Sequence, residues 1–164
     1  MLQAFRLNMD NLTLKLVETT DEALIDQIAV WYHQEWSIPV QKTKNNLKLI
    51  CSDHAQMQAV LFAAGIPVAT GGIYHHVGLL DLEPRFKVHP HWLALVYTIP
   101  QYRQRGYAAR LCNYLRNVCL RRNIENLHLF TDSAEAMYLK LGWQVVERLN
   151  VKERNLAIMQ IRLS

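Results

Sequence analysis

In the stretch Thr98-Ile-Pro-Gln-Tyr-Arg103-Gln-Arg-Gly106-Tyr-Ala108-Ala109-Arg-Leu111, two arginines and a glycine stand where an apolar run gives way to helical periodicity. The first turn of a helix leaves backbone N–H groups without partners, and the helix dipole adds positive character there. Gly106 lets the backbone come close to a bulky ligand, and Ala108 keeps the first turn small. Arg103 and Arg105 add charge-assisted donors. The chemistry such a turn supports is the holding of an anion, with a pyrophosphate a good match. Neither the Gly-x-x-x-x-Gly-Lys-Ser/Thr of a nucleotide P-loop nor the Gly-x-Gly-x-x-Gly of a dinucleotide fold is present.

A turn of this kind needs a strand before it and a helix after it. His91-Trp-Leu-Ala-Leu-Val-Tyr97 reads as a buried strand, Trp92 to Thr98. The helix that follows places Ala108, Leu111, Cys112, Leu115, Val118 and Cys119 on one face. Upstream, Leu12 to Glu18 alternates as a first strand, and Thr19 with Glu22 forms a capping-box pattern. The helix it opens carries Leu24, Ile25, Ile28, Tyr32 and Trp36 on one face and ends at Pro39. A second helix spans about 42 to 51, and strands 56–63 and 67–75 flank Gly65-Ile66. Residues 77–90, punctuated by Gly78, Pro84 and Pro90, read as an irregular loop bordering the site. Asn126 to Thr131 alternates as a strand, and Asp132 or Ser133 is placed to cap a short helix that Gly142 terminates. Strands at 143–148 and 155–163 close the chain. The pattern is a single α/β (α+β) domain over residues 1–164, without repeats or linkers.

Composition narrows the class. At 164 residues, 51% hydrophobic and 20% charged, the chain can bury a core and is not disordered. A formal charge of +4 favours anionic ligands only mildly. Cys51, Cys112 and Cys119 match no metal or disulfide spacing and read as reduced thiols. From Ala59 to Leu80 no charged residue occurs, but Gly65, Pro67 and Gly71-Gly72 make a hairpin the better reading than a membrane span. Met1 to Asp10 lacks a secretory pattern, which points to the cytoplasm.

Two segments together carry a resemblance. Arg103-x-x-Gly106-x-Ala108 after a strand ending Thr98-Ile-Pro100 resembles the Gln/Arg-x-x-Gly-x-Gly/Ala acyl-CoA motif of the GNAT superfamily of N-acetyltransferases. Ala134-x-x-x-Tyr138-x-x-x-Gly142-Trp143 is similar to that family's Ala-x-x-x-Tyr-x-x-x-Gly-Phe segment, and the element order agrees over nearly the whole chain. The resemblance implies a mixed, mostly antiparallel sheet flanked by helices, with a splayed central strand pair. It implies acetyl-CoA as co-substrate and acetyl transfer to a primary amine of a small molecule or peptide by direct attack, and it admits a homodimer. By the same likeness Val96, Tyr97 and Thr98 match the strand that pairs with the pantetheine arm, one of whose N–H groups stabilises the oxyanion. Arg103, Gln104, Arg105, Gly106, Tyr107, Ala108 and Ala109 match the pyrophosphate turn, and Tyr138 matches the acid that protonates the departing thiolate. Thr131 departs from the family's asparagine seven residues before that tyrosine.

An ammonium is not nucleophilic, so the reaction needs a base or a water relay. Glu83 is the preferred candidate because its loop borders the cleft; Asp81, His91 and His128 are the others. Trp36 and Trp92 are candidates to line the acceptor pocket, each also readable as core, which is the preferred reading for Trp36. His75-His76 and His89-Pro-His91 lack a third ligand at a recognisable spacing, so no metal site is expected. The competing functions are a non-catalytic acyl-CoA-binding regulatory module and, ranked last, a nucleic-acid binder using the arginines of the motif helix. Neither nucleic acid nor a membrane is an expected partner.

Overall fold

In a computed structural model, which describes residues 11–164, seven strands form one sheet in the order β1-β2-β3-β4-β5-β7-β6. They are β1 (Leu12–Leu16), β2 (Met57–Ala63), β3 (Ile66–Tyr74), β4 (Trp92–Thr98), β5 (Asn126–Thr131), β6 (Gln144–Val151) and β7 (Arg154–Arg162). All neighbours are antiparallel except β4 and β5. That one parallel pair is joined at a single register position, Trp92 opposite His128, with the His128 N–H donating to the His91 carbonyl at 3.0 Å. Beyond it the two strands part, leaving a gap between their C-terminal ends.

The helices are α1 (Glu22–Trp36), α2 (Val40–Ser52), α3 (Leu79–Leu82), α4 (Tyr107–Arg121) and α5 (Glu135–Lys140). Leu111, Cys112, Leu115, Val118 and Cys119 of α4 are buried, as their spacing requires, and pack with Leu61, Ile73, Leu127 and Met159 of the sheet. On a second cluster Ile25, Ile28, Trp31 and Tyr32 of α1 and Leu47 of α2 pack with Val60 and Tyr97. A chain of apolar side chains thus seats β4 between helices on two sides, which fixes the strand that leads into the turn.

Local details depart from the sequence reading. The N-cap position of α1 is Asp21 rather than Thr19, and no side chain caps the helix: the Asp21 carboxylate accepts from the Glu18 N–H at 2.8 Å. Residues 77–90 are not an irregular loop: α3 and a 3-10 turn at Pro84–Val88 bury Val77, Leu79, Leu80 and Phe86 against Trp92 and Ile158. The apolar spacing is too short to display helical periodicity. The short helix α5 is not capped by Asp132 or Ser133. Thr131 Oγ1 accepts from the Ser133 and Ala134 N–H groups at 3.3 and 3.0 Å, and Asp132 is turned away to Arg154 at 2.8 Å.

Strands β2 and β3 form the hairpin expected from the glycine and proline breaks. Among the described residues no helix is long and apolar enough to cross a membrane. The reading of Met1 to Asp10 lies outside the described residues.

Candidate active site

Strand β4 does not run straight to the turn. Gly72 pairs with Ala94 and Thr70 with Tyr97, so Leu95 and Val96 together face the single residue Gly71: a β-bulge. Leu95 holds φ at 52°, a left-handed value costly for a branched side chain. Gly71 makes the bulge possible, since a Cβ there would stand 3.1 Å from the side chains of both Val96 and Leu111. Val96 and Thr98 are half-buried beside the gap, whereas the Tyr97 ring is buried on the α1 side, 5.7 Å from Trp31. Tyr97 is therefore core on the α1 side, with its backbone paired to Thr70 of β3. The Thr98 carbonyl accepts from Arg103 Nε at 2.8 Å, so that group is already engaged.

After a 3-10 turn at Pro100–Tyr102 the chain enters the helix through two left-handed residues, Gln104 at φ 63° and Gly106 at φ 77°. No side chain caps α4, and the first N–H bonded within the helix is that of Arg110, to the Gly106 carbonyl at 3.2 Å. The N–H groups of Tyr107, Ala108 and Ala109 are left for a ligand, at the positive end of a 15-residue helix. Both arginines fold onto their own turn. Arg103 lies over the Tyr97 ring at 5.6 Å, with its guanidinium 3.7 Å from Glu35, and Arg105 lies over Tyr102 at 4.8 Å. They brace the loop with their stems and leave its backbone open.

Tyr138, on α5, is buried with 7% exposure, its ring edge-on to Trp143 at 5.9 Å. The spacing of the second motif explains this contact. Gly142, at φ 96°, reverses the chain, and the Trp143 N–H bonds back to the Tyr138 carbonyl at 3.0 Å, so Trp143 lands against the tyrosine it follows. Burial raises the Tyr138 phenol above its ordinary value, and the neighbouring Cys112 acts in the same direction. The phenol therefore keeps its proton at neutral pH. Burial also pushes the Cys112 thiol up to about 12, so it stays neutral.

The remaining candidates divide. Trp36 is 42% exposed and stacks edge-on to Tyr97 at 6.1 Å, which puts it beside β4 and open to a ligand. Trp92 is a correction: with 0% exposure, its indole N–H donating to the His89 carbonyl at 2.7 Å, it is core and cannot line a pocket. Glu83, half-buried at the end of α3, lies 3.5 Å from Arg85, which also pairs with Glu147 of β6. Asp81 is exposed and bonded to His76 at 2.9 Å. His91 and His128 are held below the usual histidine range by burial, His128 at about 4, and each leaves its Nδ1 buried without a partner. Among the described residues no cluster of three or more histidine, cysteine or carboxylate side chains is placed to hold a metal.

Sequence reasoning missed what lies under the bulge. Tyr32, Gln58, Thr70 and Tyr74, all 6% exposed or less, form a closed polar network. Gln58 Nε2 donates to Tyr32 Oη at 2.9 Å and to Thr70 Oγ1 at 2.8 Å, Thr70 donates to the Ala59 carbonyl at 2.8 Å, and the Tyr74 hydroxyl donates to Gln58 Oε1. The Tyr32 hydroxyl donates to the Leu95 carbonyl at 2.7 Å. The signal was a glutamine and a threonine in otherwise apolar strands.

The parted strand β4 leads directly into the uncapped glycine turn of α4, and Tyr138 is buried in the core on which α4 packs. The sequence profile of the acetyltransferase (GNAT) family matches residues 22–143, and the chain belongs to that family. No curated protein matches it in sequence. Among solved structures, it is similar to a GNAT-family acetyltransferase from Streptococcus pneumoniae, at 13% identity and TM-score 0.72, covering 94% of this chain and 100% of that one. It is also similar to an N-acetyltransferase from Staphylococcus aureus Mu50, at 12% identity and TM-score 0.73, with 94% and 100% covered. An aminoglycoside 6'-N-acetyltransferase complexed with coenzyme A aligns at 14% identity and TM-score 0.72, over 93% of this chain and 97% of that one.

Proposed function

We propose that this chain is an N-acetyltransferase that moves an acetyl group from acetyl-CoA to a primary amine by direct attack within a ternary complex in the cytoplasm. The observation that carries the reading is the convergence of open backbone on one gap: β4 past its bulge, and the uncapped start of α4. Backbone N–H groups of Gln104 to Ala109 would hold the pyrophosphate, and Val96 to Thr98 would face the pantetheine arm. Arg103 and Arg105 keep that loop in shape. When bound, acetyl-CoA supplies an activated thioester. An N–H of β4 meets the charge that develops on its carbonyl oxygen, and Tyr138 gives its proton to the departing sulfur.

For the base we retain Glu83, on the turn that Phe86 packs against Trp92, where Arg85 orients its carboxylate. Trp36 is the acceptor-side aromatic. The acceptor is a small-molecule or peptide amine, not a nucleic acid or membrane; in keeping with this, Arg103 faces Glu35, and Arg116 of α4 donates to the Leu141 carbonyl at 3.3 Å. The engagement of Glu83 by Arg85 is what favours the second reading, an acyl-CoA-binding regulatory module. Purified protein with acetyl-CoA and a panel of primary amines separates the two. Amine-dependent thiol release with an acetylated product supports the enzyme; CoA binding without release from any amine supports the module; neither sinks both.

A further inference from the structure

The bulge in β4 needs something to hold it, because Leu95 sits at φ 52° and a straight strand is the cheaper conformation. What holds it is a buried hydroxyl. We propose that Tyr32 is a positioning residue for acetyl transfer: by binding the Leu95 carbonyl it sets the direction of the Val96 N–H, the donor that meets the thioester oxygen. The proposal rests on the acetyl-CoA reading above.

In a planar trans peptide the C=O of one residue and the N–H of the next point in opposite directions. The Leu95 carbonyl is drawn toward α1 by the Tyr32 hydroxyl at 2.7 Å. The Val96 N–H is consequently aimed away from α1, toward the side where the Val96 side chain meets Leu111 near the start of α4. Ala94 and Tyr97 pair with β3, so their backbone faces that strand and not the gap. The bulge thus turns one peptide out of the ladder.

The network gives the Tyr32 hydroxyl a single role. Gln58 Oε1 is occupied by Tyr74, so its amide nitrogen must face Tyr32 and Thr70 as donor. Tyr32 Oη then accepts from Gln58, and its own hydrogen has only the Leu95 carbonyl to go to. The pair Gly71-Gly72 accommodates both sides of the device. A Cβ on Gly71 would press on Val96, and one on Gly72 would fall 2.2 Å from the Tyr74 ring and 2.6 Å from Gln58 Oε1. The glycines that break the apolar run in the sequence are the space for the bulge and its clamp.

The test reads the donor directly. Acetyl-CoA labelled with carbon-13 at the thioester carbonyl is bound to the wild type, to Tyr32→Phe and to Tyr74→Phe, and the carbonyl stretch is followed by isotope-edited infrared spectroscopy. CoA affinity is measured by calorimetry on the same samples. The wild type should lower the stretch relative to free acetyl-CoA, Tyr32→Phe should lose that shift with CoA affinity unchanged, and Tyr74→Phe, which damages the same network one bond further out, should keep it. With any amine that supports turnover, Tyr32→Phe should lower kcat by about 10- to 100-fold while the acetyl-CoA KM holds. Retention of the shift in Tyr32→Phe, or its equal loss in Tyr74→Phe, overturns the proposal. If Tyr32→Phe does not melt cooperatively, Gly71→Ala, which presses on Val96 with Tyr32 intact, decides: loss of the shift supports the bulge as the setting element, and an unchanged shift counts against it. Failure of the wild type to bind CoA at all would instead remove the acetyl-CoA reading itself.

Discussion

His128 sits where the two halves of the sheet meet, stacked on His89 at 3.7 Å with His91 and its neighbours His75 and Asp53 close by. Burial, reinforced by His89, holds its imidazole neutral down to about 4, against 6.5 for an ordinary histidine. Through that window the unfolded chain takes up the proton and the fold does not, so stability is complete above the ordinary value and declines as pH falls toward the depressed one. The shift amounts to roughly 3 kcal/mol at the acid end. Thermal melts of the wild type should show this decline, and His128→Phe should flatten it; an equal slope in both would refute the assignment. The exposed pair of Arg85 and Glu147 is a contrasting case. Although its geometry is bidentate, both groups are solvated, and Glu147→Gln should leave the melting temperature unmoved.

At the scale of elements, the turn into α4 is where backbone conformation and binding coincide. Gly106 meets nothing within 4 Å of a would-be Cβ, yet its φ of 77° is costly for any other residue. Gly106→Ala should therefore cost about 1 kcal/mol in stability and weaken CoA binding in calorimetry, with no steric clash to confuse the two. A variant that lost stability and kept full CoA affinity would place the pyrophosphate elsewhere. The face of α4, the hairpin of β2 and β3, and the tyrosine segment were legible in the sequence, because each is a local pattern: a period, a glycine at a turn, a fixed spacing. The bulge was not. Leu93 to Tyr97 is apolar throughout, so an inserted residue leaves no break in the alternation, and Leu95 carries none of the residue types that favour positive φ. Its clamp was hidden for another reason: Tyr32, Gln58, Thr70 and Tyr74 come from three elements and meet only in the folded sheet. Trp92 was misplaced because an aromatic beside a site and one beneath it look alike in sequence; the α3 turn that buries it has no period long enough to read.

Viewed as a whole, the molecule is two half-sheets, β1 to β4 and β5-β7-β6, hinged at Trp92 and His128 and bridged by the core under α4. A ligand seated in the gap replaces the pairing that the parted strands lack. CoA at a hundred times its dissociation constant should then stabilise the protein by about 2.7 kcal/mol. Hydrogen-exchange protection should rise at Val96–Thr98 and Gln104–Ala109 and stay unchanged on the hairpin of β6 and β7. Protection confined to that hairpin would place the ligand outside the gap.

Tyr138 is the proposed acid of the acetyl-transfer reaction, and replacing its hydroxyl tests that role most directly. With an amine that supports turnover in the wild type, Tyr138→Phe should lower kcat by about 100-fold or more while calorimetric CoA affinity and cooperative melting are retained. Turnover by Tyr138→Phe at the wild-type rate would contradict it.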